Sequence, residues 1–247
     1  SWLEIEDYLL KTDGIIVPTG SMEQHGPIGL IGTDTLCVEE IAGNVGQNIN
    51  AVIAPALCYA PAEFNMSFPG TISISPETFT ILLGEILTSL KRHGFKHIYI
   101  LNGHGANLEP IHKATSLIEN IDFRIKSWWD FDGVRELREE YFGDWEGMHA
   151  TPAEISITQV SNRTIISSLA DAEPRKLSKE YIKDHSGDKH GGPIEHREAF
   201  PDGRVGSHSN LATREYGIEL MSAAISAIQK DYLLPKLTGI VKVLILR

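Results

Sequence analysis

Short runs of β-branched and aromatic residues alternate with longer amphipathic stretches along most of this chain. The short apolar runs predict strands at 14–18, 51–54, 97–101 and 123–128. The longer periodic stretches predict helices at 35–49, 76–93, 107–120, 151–160 and 213–233. This alternation predicts an α/β fold with a mainly parallel sheet covered by helices on both faces. Ligand sites in such folds gather at the carboxyl ends of the strands.

A single domain spanning 1–247 is expected, because 247 residues suit one large α/β domain. The stretch 176–209 is rich in Gly, His, Asp and Pro and shows no periodicity. We interpret it as a long functional loop of the same domain, not as a linker. Two roles stay open for its histidines, a lid over substrate or a solvated loop: His185, His190, His196 and His208.

Composition and charge exclude several classes of protein. The formal net charge is -11, so the chain has no basic field that would favour nucleic acid. Its only cysteines, Cys37 and Cys58, have no CxxC spacing, which argues against a thiolate zinc site and for a reducing compartment. No apolar run is long enough to cross a membrane. We therefore expect a soluble, cytoplasmic protein that binds neither nucleic acid nor membrane.

The first group of chemically active residues follows the first predicted strand. Glu23 and His25 are two positions apart, which puts both on one side of an extended segment. Asp34 follows at the start of a predicted helix. Carboxylates and neutral imidazole are ligands of zinc, manganese and iron, and a carboxylate can bridge two ions. Alternatively, Asp34 is only a helix N-cap, and Glu23 and His25 lie on a surface loop.

The second group follows the strand at 97–101. His104 lies between Gly103 and Gly105, which permit close approach of the backbone to an ion or a substrate. A phosphate-binding loop is the rival interpretation, but the segment lacks the glycine spacing of a dinucleotide fingerprint and the lysine of a P-loop. The pattern favours a metal-binding or catalytic role for His104.

The third group contains His149 and Glu154. Thr151 and Glu154 have the spacing of a capping box, which explains Glu154 without any function. No such local role accounts for His149. Trp129 and Trp145 suit a stacking wall for a flat ligand, or are ordinary core or interface residues.

Together these motifs resemble the creatininase (creatinine amidohydrolase) family. The resemblance is carried, in order, by GSMEQHGP at 20–27, TD at 33–34, FPGT at 68–71, NGHGAN at 102–107 and HATPAE at 149–154. It covers about 14–220 and implies a three-layer α/β/α sandwich with two divalent metal ions per chain. Zinc is the first expectation, with manganese or iron as alternatives. A homo-oligomer, commonly a hexamer in the family, is also implied.

The resemblance also assigns roles by position. Glu23 and His104 would bind one metal, His25 the other, and Asp34 would bridge them. His149 matches the proton-transfer histidine of the family, and Trp129 and Trp145 match tryptophans of its substrate pocket. Gly105 is also expected beside the substrate.

The sequence departs from true creatininases after His104. Those enzymes carry an aromatic residue and then a metal-binding glutamate, where this chain has Gly105 and Ala106. In members with this glycine-rich version a later glutamate resembles the replacement ligand, which here is Glu154. The departure leaves open whether creatinine is the substrate.

The expected reaction is hydrolysis of a C–N bond in a small linear or cyclic amide. Attack would come from a hydroxide between the metals, since coordination lowers the pKa of water to about 7, and His149 would pass a proton to the departing nitrogen. Alternatives are a deformylase acting on a formamido-pyrimidine precursor, a non-catalytic α/β protein that binds a small ligand, or a metal-binding assembly protein without activity.

Overall fold

The computed structural model describes residues 1–187 and 189–234. Its helices and strands, in chain order, are α1 (Trp2–Leu9), β1 (Gly14–Thr19), α2 (Thr33–Ile49), β2 (Val52–Ile53), α3 (Pro76–His93), β3 (His97–Asn102), α4 (Leu108–Ser116), β4 (Asp122–Ser127), α5 (Asp132–Phe142), α6 (Pro152–Ser161), α7 (Lys179–Asp184), α8 (Pro193–Ala199) and α9 (Arg214–Tyr232).

The described strands form one parallel sheet in the order β2-β1-β3-β4. The three longer strands end level with one another, because Thr19 pairs in register with Asn102 and Asn102 with Ser127. These side chains are hydrogen-bonded: Thr19 Oγ1 donates to Asn102 Oδ1 at 3.1 Å, and Asn102 Nδ2 donates to Ser127 Oγ at 3.3 Å. The segments after β1, β3 and β4 therefore leave the sheet side by side.

Alternate residues of the central strands enter two separate cores. Ile16, Tyr99 and Leu101 pack on one face with α2, α5, α6 and α9. Ile15, Val17, Ile98 and Ile100 pack on the other face with residues from α1, α3 and α4. Burial of both faces explains why β1 and β3 are almost continuously apolar. The predicted three-layer α/β/α sandwich with a parallel sheet is confirmed.

Helix α3 shows why its ends could be predicted. Ser75 Oγ accepts a hydrogen bond from the Thr78 backbone nitrogen, and Pro76 occupies the first helical turn. At the other end Gly94 has φ of 103°, the left-handed conformation that glycine adopts most easily.

The expectation of an irregular stretch at 176–209 is wrong in part, because this stretch contains α7 and α8. Both helices are short: Ser178 Oγ caps α7 by accepting from the Tyr181 nitrogen, and Pro193 occupies the first turn of α8, whose N-terminus has no side-chain cap. Helices of six and seven residues are too short to show apolar periodicity. Helices α1 and α5 were not predicted either, and α5 buries only Val134 and Phe142.

None of the described helices combines the length and apolar character that a membrane span requires. The last thirteen positions of the predicted single domain, 235–247, lie outside the described residues.

Gly103 lets the end of β3 lie against the first turn of α2. A Cβ atom at this position would lie 2.6 Å from the Asp34 carbonyl oxygen and 2.7 Å from Val38 Cγ1. We expect Gly103→Ala to lower the free energy of unfolding by about 1–3 kcal/mol, the usual cost of overpacking, as measured by urea denaturation.

Gly84→Ala, in α3, is the matched control, because an added Cβ there meets no atom within 4 Å. It should raise the free energy of unfolding by up to about 1 kcal/mol. Equal stability of Gly103→Ala and the wild type would contradict the close packing of β3 on α2.

Candidate metal centre

Six predicted side chains meet at the carboxyl end of the sheet. Each is at most 8% exposed: Glu23, His25, Asp34, His104, His149 and Glu154. The loop after β1 carries the first two, α2 begins just before Asp34, His104 follows β3, and α6 begins between His149 and Glu154. Thus residues up to 131 positions apart in the sequence form one buried cluster.

Asp34 lies at the centre of this cluster. Its Oδ1 is 3.0 Å from His25 Nε2, and its Oδ2 is 3.0 Å from His104 Nδ1. Ser21 Oγ donates a hydrogen bond to Oδ2 at 2.8 Å. The Asp34 carboxylate thus presents one oxygen to each of the two imidazoles, as a bridging ligand would.

Each imidazole also faces a second carboxylate. Glu23 Oε1 lies 3.3 Å from His104 Nδ1, and Glu154 Oε1 lies 3.7 Å from His25 Nε2. The side chains therefore form two groups that share Asp34, namely Glu23, Asp34 and His104, and His25, Asp34 and Glu154. In each group the potential ligand atoms lie within 4.8 Å of one another.

Hydrogen bonds on the far side of each ring orient the two histidines. The Nδ1 of His25 donates to the Glu23 carbonyl oxygen at 3.2 Å, and the Nε2 of His104 donates to the Pro61 carbonyl oxygen at 2.7 Å. With the proton on that nitrogen, the inward nitrogen carries the lone pair. Such backbone contacts fix the tautomer of metal-binding histidines.

A buried oxygen of Glu23, which faces the rings of His104 and His149, also fits a bound cation. Asn65 Nδ2 donates to Glu23 Oε2 at 3.0 Å, whereas the buried Oε1 accepts no hydrogen bond from the described residues. Buried carboxylate oxygens without such a partner are costly unless a cation compensates them. Carboxylate oxygen together with imidazole nitrogen suits zinc, manganese or iron. The donor set therefore fits divalent metal ions.

The electrostatics of the cluster favour positive charge. Burial lowers the pKa of His25, but attraction to Asp34, Glu154 and Glu23 outweighs it and raises the pKa to about 10. The pKa of His104 is also raised well above its usual value, because Glu23 and Asp34 outweigh burial. Burial raises the pKa of Asp34, yet the two imidazoles hold it well below its ordinary range.

His149 differs from the other two histidines. Its Nε2 donates to the Gln24 carbonyl oxygen at 2.7 Å, which directs Nδ1 toward Glu23 Oε1 at 3.4 Å. The ring lies 4.5 Å from that of His25, centre to centre. Burial and the charge of His25 lower the pKa of His149 well below its usual value. His149 also groups with Glu23 and His25, so its position fits a metal ligand as well as a proton carrier.

Glu154 combines the two roles that its sequence position suggested. Its Oε1 accepts from the Thr151 nitrogen at 2.5 Å, and its own nitrogen donates to Thr151 Oγ1 at 3.2 Å, so the capping box is present. The same carboxylate faces His25 and Asp34. Burial raises its pKa to about 8.

A cavity of about 190 Å³ opens onto this cluster. Gly105 and Trp129 line it, as expected of substrate-binding residues, and so do Trp128, Arg138 and Ser186. Trp145 is not among the lining residues, and its ring instead packs against His208 at 5.6 Å and Lys176 Nζ at 4.5 Å.

Other residues of the site had no clear sequence signal. Gln24 Nε2 donates to Asn65 Oδ1 at 2.7 Å, which orients Asn65 toward Glu23. Gln24 lies inside the GSMEQHGP motif, but nothing marked Asn65. Arg138 was missed because α5 was not predicted.

The histidines of the stretch 176–209 lie beside the cluster, not in it. His190 and His196 pack against Phe64, at 4.8 Å and 5.0 Å between ring centres, and His185 stacks on Tyr181 at 3.8 Å. Ser186 and Gly187 reach the cavity wall. The stretch therefore covers one side of the site.

Replacing Asp34 tests the shared carboxylate. We expect Asp34→Asn, which keeps the size but removes the charge, to lose most of the metal that the wild type binds. Elemental analysis of protein purified without chelator measures this. Asp132→Asn is the control, since the Asp132 side chain is 83% exposed and pairs with Arg135. Unchanged metal content in Asp34→Asn would contradict the bridged site.

Two substitutions separate the two roles of Glu154. Glu154→Gln keeps an oxygen acceptor for the Thr151 nitrogen and should lose metal while changing the free energy of unfolding by less than about 1 kcal/mol. Thr151→Ala should lose about 1 kcal/mol of stability and keep its metal. If Glu154→Gln bound as much metal as the wild type, Glu154 would be only a cap.

Comparisons with known proteins show which family this chain is similar to. The creatininase family model, described as creatinine amidohydrolase, matches residues 1–231. A creatinine amidohydrolase from Pseudomonas putida is 28% identical over 176 residues, covering 64% of this chain and 68% of the relative. A 3-dehydro-scyllo-inosose hydrolase from Thermotoga maritima is 27% identical over 247 residues, covering 92% and 79%.

Solved creatininase structures have the same fold. A manganese form and a variant of zinc–zinc type are each 22% identical to the chain, with 94% of both chains covered and TM-scores of 0.79 and 0.78. Since the family model matches nearly the whole chain and the relatives are hydrolases, the chain belongs to the creatininase family and is a hydrolase of that family.

Proposed function

We propose that this protein is a metal-dependent amidohydrolase that cleaves a C–N bond of a small linear or cyclic amide. The observation that carries the proposal is the position of Asp34, whose two oxygens face His25 and His104 at 3.0 Å each. We further propose two divalent ions per chain, one beside Glu23 and His104 and the other beside His25 and Glu154. Zinc is the first candidate, and manganese and iron are the alternatives.

One of the reported relatives supports an amide as the substrate class, whereas the inosose hydrolase from Thermotoga maritima acts on a substrate without nitrogen. The Pseudomonas putida relative is a creatinine amidohydrolase, and solved creatininases include manganese and zinc–zinc forms. Creatinine itself is not proposed, because Gly105 and Ala106 replace the aromatic residue and the glutamate of true creatininases.

The residues around the cavity divide the work of hydrolysis. The carboxylates and imidazoles of the cluster would hold divalent ions, which would supply Lewis-acid activation of water and of the amide carbonyl. Trp129 and Gly105, which line the cavity, would position the substrate. Ser186 and Gly187, from the stretch 176–209, form another part of the cavity wall.

His149 is the proposed proton carrier. The hydrogen bond from Nε2 to the Gln24 carbonyl fixes the ring and leaves Nδ1 to accept a proton. Nδ1 lies 3.4 Å from Glu23 Oε1, so it faces the reacting region. From there His149 would donate the proton to the departing nitrogen, a step without which an amine leaves poorly.

Replacing His149 distinguishes a proton carrier from a ligand. We expect His149→Ala to keep its metal and to lower kcat on an amide substrate by about 10²–10⁴-fold. His93→Ala, at an exposed position at the end of α3, is the control and should retain full activity. Loss of metal from His149→Ala would assign His149 to the ligands, and unchanged turnover would remove it from the reaction.

Screening the metal-loaded protein against cyclic ureides, formamides and N-acyl amino acids tests the function itself. Metal-dependent turnover of any of these amides would support the proposal. A protein that binds two ions but hydrolyses none would favour the binding-protein alternative. Formamide turnover alone would favour the deformylase.

We also propose that the chain forms a homo-oligomer, a hexamer by resemblance to the family. Light scattering coupled to size exclusion measures this directly. A monomer at micromolar concentration would contradict it.

A further inference from the structure

We propose that Arg138 binds a carboxylate group of the substrate, so that the protein acts on an amide that carries a carboxylate. This inference rests on the proposed amidohydrolase function and adds a substrate class to it. Arg138 would thus be a specificity-determining residue.

Arg138 lies on helix α5 and lines the cavity beside the metal centre. It lines the same cavity as Glu23, Asp34 and Glu154. Among the described residues of this lining it is the one lysine or arginine. A substrate in this cavity would therefore meet a single guanidinium among the described lining residues.

The side chain of Arg138 is held in place by two contacts. Its Nε donates to Glu146 Oε1 at 2.7 Å, and its guanidinium carbon lies 5.9 Å from the centre of the Trp128 ring. The Arg138 side chain is 22% exposed and that of Glu146 is 11% exposed. The guanidinium is therefore partly withdrawn from water and has limited freedom to move.

These contacts leave one edge of the guanidinium available. Nε is engaged by Glu146, while the two terminal nitrogens of Arg138 make no hydrogen bond to any residue that the structure describes. Two parallel N–H groups on such an edge match the two oxygens of a carboxylate. A purely structural arginine would ordinarily use these donors within the protein.

The rest of the cavity favours a small and flat molecule. Its volume is about 190 Å³, and Trp129 contributes an indole ring to the wall. An aromatic wall suits a planar ring, and we expect a carboxylate on that ring to pair with Arg138 while the amide lies beside the cluster. A neutral amide such as creatinine would leave the guanidinium edge without a partner.

Two cyclic ureides that differ by one carboxylate test this inference. Dihydroorotate and dihydrouracil present the same ring amide, and only dihydroorotate carries the anion. We expect the metal-loaded His149→Ala protein, chosen to prevent turnover, to bind dihydroorotate at least about tenfold more tightly in calorimetry, because hydrogen bonds to charged groups are strong. In the same background, Arg138→Met should remove this preference and change dihydrouracil binding by less than about threefold.

Matched variants keep the result interpretable. Arg135→Met, on the same helix with a 61% exposed side chain, should leave both affinities unchanged. If Arg138→Met does not fold, Arg138→Lys keeps the charge but loses the paired donors, and should weaken dihydroorotate binding selectively. Equal affinity for the two ureides, no binding of either, or a preference that survives loss of the guanidinium would overturn the inference.

Turnover by the wild type separates this inference from the proposed function. Selective binding of dihydroorotate without hydrolysis of it or of any other amide would contradict the amidohydrolase function and support the role of Arg138. Hydrolysis of neutral amides with no preference for carboxylates would support the amidohydrolase function and contradict the role of Arg138.

Discussion

The buried negative charge at the end of the sheet is the constraint on which the rest of this structure depends. Glu23, Asp34 and Glu154 lie within one small region and are at most 8% exposed. Like charges removed from water are costly unless cations and hydrogen-bond donors compensate them. The inward nitrogens of His25 and His104 lie between these carboxylates and form the two groups in which divalent ions would complete the balance.

The sheet brings these groups together through its geometry. Because β1, β3 and β4 are parallel and end in register, the segments after them converge on one edge. The side chains of Thr19, Asn102 and Ser127 hold that edge together. Glycines then allow α2 to begin directly against the strand ends: a Cβ atom on Gly20 would lie 2.5 Å from Thr35 backbone atoms. Asp34 can therefore lie beside loops from two strands.

Much of this arrangement could be predicted from the sequence because it follows from local rules. Apolar runs identified β1 and β3, and the motifs after them identified His25 and His104. Long-range geometry was less accessible. Asn65 and Arg138 reach the site through tertiary packing, and no local pattern marks them. Trp145, expected in the substrate pocket by resemblance, packs instead against His208 and Lys176. For Glu154, the capping-box spacing and the family resemblance suggested the two roles, and the three-dimensional structure adds its contacts with His25 and Asp34.

Anomalous X-ray scattering from crystals grown with manganese or zinc tests the central claim most directly. Difference maps collected on both sides of the absorption edge locate each ion independently of any activity. We predict two peaks that flank the carboxylate of Asp34, one beside Glu23 and His104 and the other beside His25 and Glu154. A map without peaks at Asp34, or with ions bound only elsewhere, would contradict the bridged centre and the metal-dependent reaction built on it.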